Sequence, residues 1–108
     1  MFAKTPEAPY YAVIFTSTRT ARDNGYSREA ERMFAMASSQ PGFLGAESAR
    51  VEDGLGITVS YWDSGQGIAH WKRNAEHHAA QAGGRKHWYE HYEVRVAKVE
   101  RAYSFSRQ

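Results

Sequence analysis

The segment from Tyr10 to Thr18 constrains the fold more than any other part of the sequence. It reads YYAVIFTST, and its aromatic and β-branched residues are typical of a β-strand. Successive side chains of a strand point to opposite faces. One face would carry Tyr11, Val13 and Phe15, and the other Tyr10, Ala12 and Ile14. Because both faces are apolar, this strand needs a cover on each side.

A helix and a hairpin are predicted next. The run YSREAERMFAMASSQ repeats apolar residues every three or four positions, which predicts an amphipathic helix ending before Pro41-Gly42. Its apolar stripe would be Tyr26, Ala30, Met33, Phe34 and Ala37, with Arg28, Glu29, Glu31 and Arg32 opposite. Residues 43–51 and 56–62 then predict two antiparallel strands joined by the turn Glu52-Asp53-Gly54.

A second helix and a last strand complete the pattern. Asp63 and Ser64 suit a helix N-cap, and Gly83-Gly84 is expected to end the helix. Its inner stripe would be Ile68, Trp71, Ala75 and His78. A short helical segment near Lys86 to Glu90 leads into the strand YEVRVAKVERAYSF. In that strand Val94 and Val96 differ in parity from Val99 and Tyr103, which predicts a β-bulge near Ala97.

The element order predicts a ferredoxin-like α+β fold, βαββαβ, with an antiparallel sheet and both helices on one face. The other face stays bare, so we expect two sheets to meet in a homodimer. A chain of 108 residues fits one domain. Residues 1–9, with Pro6 and Pro9, predict a flexible arm, and residues 10–108 a single domain.

Composition excludes several classes of protein. The absence of cysteine rules out disulfides, thiolate nucleophiles and Cys-ligated metals. No apolar run is long enough to span a bilayer and no signal peptide is evident, so we expect a cytoplasmic protein without a membrane partner. The net charge of +2 comes from mixed charges, which disfavours a nucleic-acid partner.

Aromatic residues suggest a ligand site between helices and sheet. A concave apolar pocket of this kind takes planar ligands. Its candidate lining is Phe15, Met33, Phe34, Tyr61, Trp62 and Trp71. Ordinary core packing explains the same residues at least as well, and the sequence leaves both interpretations open.

Five histidines lie between Ala69 and Tyr92. His78 shares a helical stripe with Trp71, whereas His77 points about 100° away, so His78 is the better acid–base candidate. The alternative is a hydrogen-bonded core histidine. His87 and His91 have the spacing of a helical metal pair, but no third ligand is identifiable, so we predict no metal site.

Three segments together resemble the antibiotic biosynthesis monooxygenase domain family, within the dimeric α+β barrel superfamily. They are QPGFLGAESAR, GITVSYWDS followed by IAHWKRNAEHHAAQ, and RVAKVERAYSF. The resemblance spans Tyr10 to Phe105. It implies a cofactor-independent oxygenase acting on a small aromatic, phenolic or quinone-type molecule. By that analogy Trp71 flanks the substrate, and His78 or Tyr61 handles the proton or holds the phenolate oxygen.

Two other functions stay open. Aromatic walls alone confer affinity, so a non-catalytic protein that binds an aromatic metabolite is the alternative from another class. Some family members degrade haem with an Asn on the first strand, a Trp on the second helix and a His ten residues later. Here Trp71 matches, but Gln81 stands at the His position and Thr16, Ser17 and Thr18 at the Asn position. Since Gln is a poor ligand for haem iron, haem degradation is disfavoured.

Overall fold

A computed structural model describes residues 2–20, 26–81 and 88–107 of the chain. Four strands and two helices follow one another in the predicted order. They are β1 (Tyr10–Arg19), α1 (Tyr26–Ser38), β2 (Phe43–Arg50), β3 (Leu55–Trp62), α2 (Gly65–Gln81) and β4 (Tyr89–Val99). None of the helices in these described ranges is long and apolar enough to cross a membrane.

The strands form one antiparallel sheet in the order β2-β3-β1-β4. Tyr11 of β1 lies opposite Trp62 of β3, and Tyr10 lies opposite Val99 of β4. Both helices lie on the side of the sheet that carries Trp62, because ring contacts from α1 and α2 reach this side. The ferredoxin-like α+β fold predicted from the sequence is confirmed.

The central strand β1 is apolar on both sides, and the two sides have different covers. We call the side that the helices cover the helix face, and the other side the open face. The helix face carries Tyr11, Val13 and Phe15 of β1, with Trp62, Val94 and Val96 on the neighbouring strands. The open face carries Tyr10, Ala12 and Ile14, with Ile57, Val59, Tyr61 and Val99. Tyr10 and Ala12 are buried toward one end of the open face, whereas Ile57 toward the other end is 45% exposed.

The buried side of α1 is rotated relative to the predicted stripe. Ala37 is buried and Met33 half-buried, but Ala30 is exposed and Phe34 is 55% exposed. The side chain of Glu29, which the pattern placed in solvent, is only 13% exposed because it contacts His78 of α2. A hydrogen-bonded polar group can be buried at little cost, and a purely hydrophobic pattern does not detect this.

Local signals explain where α2 and the hairpin turn lie. The Oγ of Ser64 accepts a hydrogen bond from the backbone N–H of Gly67 at 3.1 Å, which caps the start of α2. In the β2-β3 turn, Gly54 has a φ of 101°, a conformation that favours glycine. Asp53 Oδ1 accepts a hydrogen bond from the N–H of Leu55 at 3.1 Å. Gly83-Gly84, the predicted end of α2, lies outside the described residues.

Two predictions for the last strand are wrong. Glu90 belongs to β4 and not to a helix, although Lys86 lies outside the described residues. The bulge expected near Ala97 is absent, because β4 pairs regularly with β1 from His91 to Val99. The register shifts instead between Thr18 and Arg19 of β1. Val99 differs in parity from Val94 and Val96 because it lies on the open face, whereas those two residues lie on the helix face.

The N-terminal arm, residues 2–9, contains no helix or strand. The backbone N–H of Ala3 donates a hydrogen bond to Oε2 of Glu47 at 2.9 Å, and Thr5 Oγ1 donates to the hydroxyl of Tyr10 at 3.0 Å. Both contacts lie on the open face. The arm therefore covers one end of this face, near Tyr10.

Candidate functional site

Four aromatic side chains meet between the helices and the β2-β3 half of the helix face. We call Phe34, Phe43, Trp62 and Trp71 the aromatic cluster. The ring of Trp62 has no exposed surface, and its centroid lies 5.4 Å from Phe43 and 6.3 Å from Trp71. Its indole N–H donates to Ser60 Oγ at 2.9 Å, so its one polar group is satisfied. Trp62 is therefore a core residue.

Trp71 and Phe34 form the accessible part of the aromatic cluster. Trp71 is half-buried, and its ring is inclined by 23° to that of Trp62 in a stacked arrangement. Phe34 lies edge-on to Phe43 at 6.1 Å, and Met33 is half-buried next to it on α1. A planar aromatic molecule can stack on exposed ring surface of this kind. The aromatic cluster thus combines a buried ring, that of Trp62, with rings that a ligand can reach.

Phe15 does not join the aromatic cluster. It lies on the helix face opposite Thr58, four residues along β3 from Trp62, which corresponds to about 13 Å. Its ring packs against Tyr92 at 5.2 Å and Tyr89 at 5.4 Å. The structure therefore splits the predicted lining of the helix face into two aromatic groups.

The strip of sheet beside β4 is open on the helix face. Val94 and Val96 are 50% and 59% exposed although they point toward the helix layer. The described helices therefore lie mainly over β2 and β3. Val94 and Val96 therefore add exposed apolar surface to the helix face, on the strand at the edge of the sheet.

His78 lies on the same side of α2 as Trp71 and forms a hydrogen bond to a carboxylate on the other helix. Its Nε2 lies 2.7 Å from Oε2 of Glu29 on α1, and the two side chains are 23% and 13% exposed. The other carboxylate oxygen of Glu29 accepts a hydrogen bond from Arg32 at 2.8 Å. The hydrogen bond to His78 and the nearby positive charges hold the pKa of Glu29 below its usual value. The exposed His77 is directed away from this pair.

Tyr61 lies on the open face, across the sheet from Trp71 and His78. Its hydroxyl donates a hydrogen bond to Oε1 of Glu47 at 2.7 Å, and its ring contacts Tyr10 edge-on at 5.8 Å. Burial and the carboxylate of Glu47 raise the pKa of Tyr61 to about 12. The structure thus brings Trp71 and His78 together but places Tyr61 elsewhere, in a neutral, hydrogen-bonded state.

A cavity of about 790 Å³ lies beside Tyr61, between the N-terminal arm and the segment that follows β4. Tyr10, Glu47 and Tyr61 line it from the sheet, and Tyr103 lines it from the C-terminal segment. The side chains of Tyr103 and Phe105 are 86% and 90% exposed. Phe2 of the N-terminal arm also lines the cavity and is 89% exposed, so both the arm and the C-terminal segment present aromatic surface here.

The remaining histidines that the structure describes do not form a metal site. His91 belongs to strand β4 and contacts Glu93 at 3.0 Å, so the helical spacing expected for His87 and His91 does not apply. His87 lies outside the described residues. His70 lies 3.4 Å from Asn74, which also donates to Gln40. No group of three potential ligands converges within residues 2–20, 26–81 and 88–107.

Sequence reasoning missed two carboxylates and one ring. Glu29 lies four residues before Met33, at the border of the apolar stripe, and this spacing could have identified it. Glu47 lies opposite Val59 and reaches Tyr61 diagonally across the β2-β3 hairpin, a contact that only the strand register shows. Phe43 follows the helix-ending Pro41-Gly42 directly, and only the sheet shows that it packs on Trp62.

Comparison with known proteins places this geometry in a family. The family model described as antibiotic biosynthesis monooxygenase matches residues 9–83. The chain belongs to this family. A Bacillus subtilis (strain 168) relative, the uncharacterised protein YqjZ, is 61% identical over 99 residues, which is 92% of this chain and 87% of YqjZ. The matched region of the antibiotic biosynthesis monooxygenase family includes Trp62, Trp71 and His78 but not β4.

Solved structures share the fold at low sequence identity. SnoaB, a cofactor-independent oxygenase from Streptomyces nogalater, superposes with a TM-score of 0.68 at 13% identity, covering 93% of this chain and all of that one. PA3566 from Pseudomonas aeruginosa has a TM-score of 0.66 at 16% identity, covering 91% and 99% of the two chains. At these identities the likeness shows a common fold.

Proposed function

We propose that this protein is a cofactor-independent oxygenase of a small aromatic phenol or quinol. Membership of the antibiotic biosynthesis monooxygenase family supports an oxygenase, and the shared fold with SnoaB supports a reaction without cofactor. The observation that carries the proposal is the pairing, on one side of α2, of an accessible Trp71 with a His78 bonded to a carboxylate.

The proposed reaction needs binding, deprotonation and exclusion of water. The substrate stacks on Trp71 and lies over the open strip beside Val94 and Val96. Trp71 and His78 are seven residues apart, which is a rise of about 10.5 Å along α2. The indole ring of Trp71 and the imidazole of His78 can therefore contact different parts of one substrate. His78 accepts the phenolic proton, which leaves an electron-rich anion next to aromatic side chains.

The substrate anion itself supplies the electrons that dioxygen requires. One oxygen atom of dioxygen bonds to a ring CH carbon ortho or para to the hydroxyl and becomes a carbonyl, so the product is a quinone. The other oxygen atom leaves as water with the hydrogen of that carbon and the phenolic proton. No external reductant enters this balance. The contribution of the protein is to orient and desolvate the anion, in keeping with a site built from aromatic rings and one acid–base group.

We also propose that the working form is a homodimer. Leu55 and Ile57 expose 44% and 45% of their surface on the open face, and the C-terminal segment exposes Tyr103 and Phe105. Apolar surface on one side of a sheet is stabilised when a second copy covers it. Sedimentation at micromolar concentration is expected to give twice the 12.2 kDa chain mass. A well-folded monomer would contradict this proposal.

Oxygen uptake with a panel of quinols tests the oxygenase. We expect turnover by the wild type and a loss of about 100-fold or more in His78→Ala, since general base catalysis contributes about 10²–10⁴-fold. Trp71→Ala should weaken substrate binding. His77→Ala is the matched control, because this neighbour is exposed on the other side of α2. Equal activity in His78→Ala and His77→Ala would refute the proposed base.

The second candidate is a protein that binds an aromatic metabolite without turnover. The accessible rings of Trp71 and Phe34 favour it, because stacking surface alone confers affinity. Quinol binding measured by Trp fluorescence, with no oxygen consumed, would support this alternative. Haem degradation stays disfavoured: Gln81 is the last residue of α2, and Ser17 is buried and bonded to Arg50 at 3.0 Å. We expect haemin to give no stoichiometric Soret shift.

A further inference from the structure

We propose that Glu29 is a positioning residue that holds His78 in the tautomer with its proton on Nε2, so that Nδ1 is the nitrogen that accepts the substrate proton. The catalytic meaning of this assignment rests on the proposed oxygenase function. The tautomer itself depends only on the contact between α1 and α2 and can be measured without substrate.

The contact between Glu29 and His78 is short and largely shielded from solvent. Glu29 and His78 are 49 residues apart in sequence and meet at 2.7 Å, with less than a quarter of either side chain exposed. Arg32, one turn further along α1, binds the other carboxylate oxygen at 2.8 Å. Because Arg32 occupies Oε1, the carboxylate is oriented with Oε2 toward His78. The side chains form a chain from Arg32 through Glu29 to the imidazole.

The charge of Glu29 decides which ring nitrogen carries the proton. An ionised carboxylate has no hydrogen to donate and can only accept. The hydrogen bond from His78 and the positive charge of Arg32 lower the pKa of Glu29, so this carboxylate is ionised at neutral pH. A nitrogen 2.7 Å from it must therefore be the donor. In the neutral imidazole, Nε2 then carries the hydrogen and Nδ1 keeps its lone pair.

Neighbouring groups within the described residues leave this assignment unchanged. From α1, Arg32 is the charged side chain bonded to Glu29. On α2, Asn74 lies one turn before His78 and is engaged with Gln40 and His70. The contact thus resembles other histidine–carboxylate pairs, in which the carboxylate fixes the tautomer and stabilises the ring cation that forms on proton uptake.

The proton step follows directly. Nδ1 of His78 accepts the proton of the substrate hydroxyl, and the electron pair of the broken O–H bond stays on the substrate oxygen. The ring becomes an imidazolium, with Nε2–H still bonded to Glu29. When water forms from the second oxygen atom, Nδ1 returns the proton and the neutral tautomer is restored.

Nitrogen-15 NMR of the ring nitrogens of His78 in the intact protein tests the tautomer near pH 8. We expect wild-type shifts and couplings of an Nε2–H imidazole. In Glu29→Gln the amide can donate as well as accept, so the Nδ1–H form should appear in substantial amount. Glu29→Asp should retain the wild-type tautomer if it still reaches the ring. Glu31→Gln, an exposed change on the same helix, is the control and should leave the spectrum unchanged.

Kinetics separate positioning from simple packing. We expect kcat of Glu29→Gln to fall about tenfold or more with little change in KM, and Glu29→Asp to recover part of the loss. An Nδ1–H tautomer in the wild type, or a Glu29→Gln protein with wild-type tautomer and kcat, would overturn the inference. Suppose that the wild type has the Nε2–H tautomer, that Glu29→Gln loses it, and that the wild type consumes no oxygen with any quinol. This result would support the tautomer assignment and contradict the oxygenase. Circular dichroism verifies that each variant is folded.

Discussion

Replacement of the two stacked tryptophans should separate the packed part of the aromatic cluster from its accessible part. Trp62 is completely buried against Phe43 and Trp71, whereas Trp71 is half-buried. Trp62→Ala removes a whole core ring and is expected to lower the free energy of unfolding by about 3–5 kcal/mol. It also leaves Ser60 without the indole N–H that it binds at 2.9 Å.

The matched change, Trp71→Ala, should have a smaller effect on stability. Part of this ring already contacts water, so we expect a loss of about 1–2 kcal/mol. A domain of this size has a total stability of about 5–15 kcal/mol, so Trp62→Ala removes a large fraction and Trp71→Ala a small one. For ligand binding the order should be reversed, because Trp71 is the ring on which we propose that a planar molecule stacks.

Urea unfolding followed by far-UV circular dichroism, at one protein concentration, measures both stability changes. Trp62→Phe should cause a loss of stability between those of the other two variants. It keeps an aromatic ring but loses the indole hydrogen bond, which is worth about 1 kcal/mol. The reasoning is refuted if Trp71→Ala destabilises the protein as much as Trp62→Ala. It is also refuted if Trp62→Ala changes stability by less than about 1 kcal/mol, since a fully buried ring cannot be removed so cheaply.

Further predictions concern titration and assembly. Ultraviolet titration should show one tyrosine that stays protonated until about pH 12, and Glu47→Gln should lower the pKa of Tyr61 by removing the carboxylate that raises it. Because folding lowers the pKa of Glu29 and Glu47, their stabilisation is present above the usual carboxyl pKa of 4.5 and is lost as the pH falls through their lower folded values. In urea titrations, the Glu29→Gln, Glu47→Gln double variant should therefore lose less stability than the wild type when the pH is lowered from about 5 to about 3. Ile57→Asp, on the open face, should shift sedimentation toward the monomer, and an unchanged dimer would show that this face is not the interface.

Elements with strong periodicity could be predicted from the sequence. The two-sided strand β1, the hairpin around Gly54 and the cap at Ser64 all depend on local rules of chain geometry. The last strand was harder, because its change of parity near Val99 has two explanations. A bulge and a switch of the packed face produce the same pattern, and only pairing with β1 distinguishes them.

The candidate site was less predictable than the fold because it depends on contacts between distant segments. Trp71 and His78 share a helix, so their common side follows from spacing. Tyr61 was grouped with them because it adjoins Trp62, yet adjacent residues of a strand point to opposite faces. Glu29 looked like a solvent residue until its partner on the other helix was known.

Because side chains alternate between the two faces along β1 and β3, different codons encode the two faces of the sheet and can be changed independently. Codons for Tyr11, Val13 and Ser60 alter only the side toward the helices, whereas those for Ile14 and Ile57 alter only the other side. A saturation-mutagenesis library confined to the first set therefore varies the side on which we propose that substrate binds and leaves the proposed dimer face unchanged. The complementary library varies the proposed dimer face and leaves the proposed substrate side unchanged.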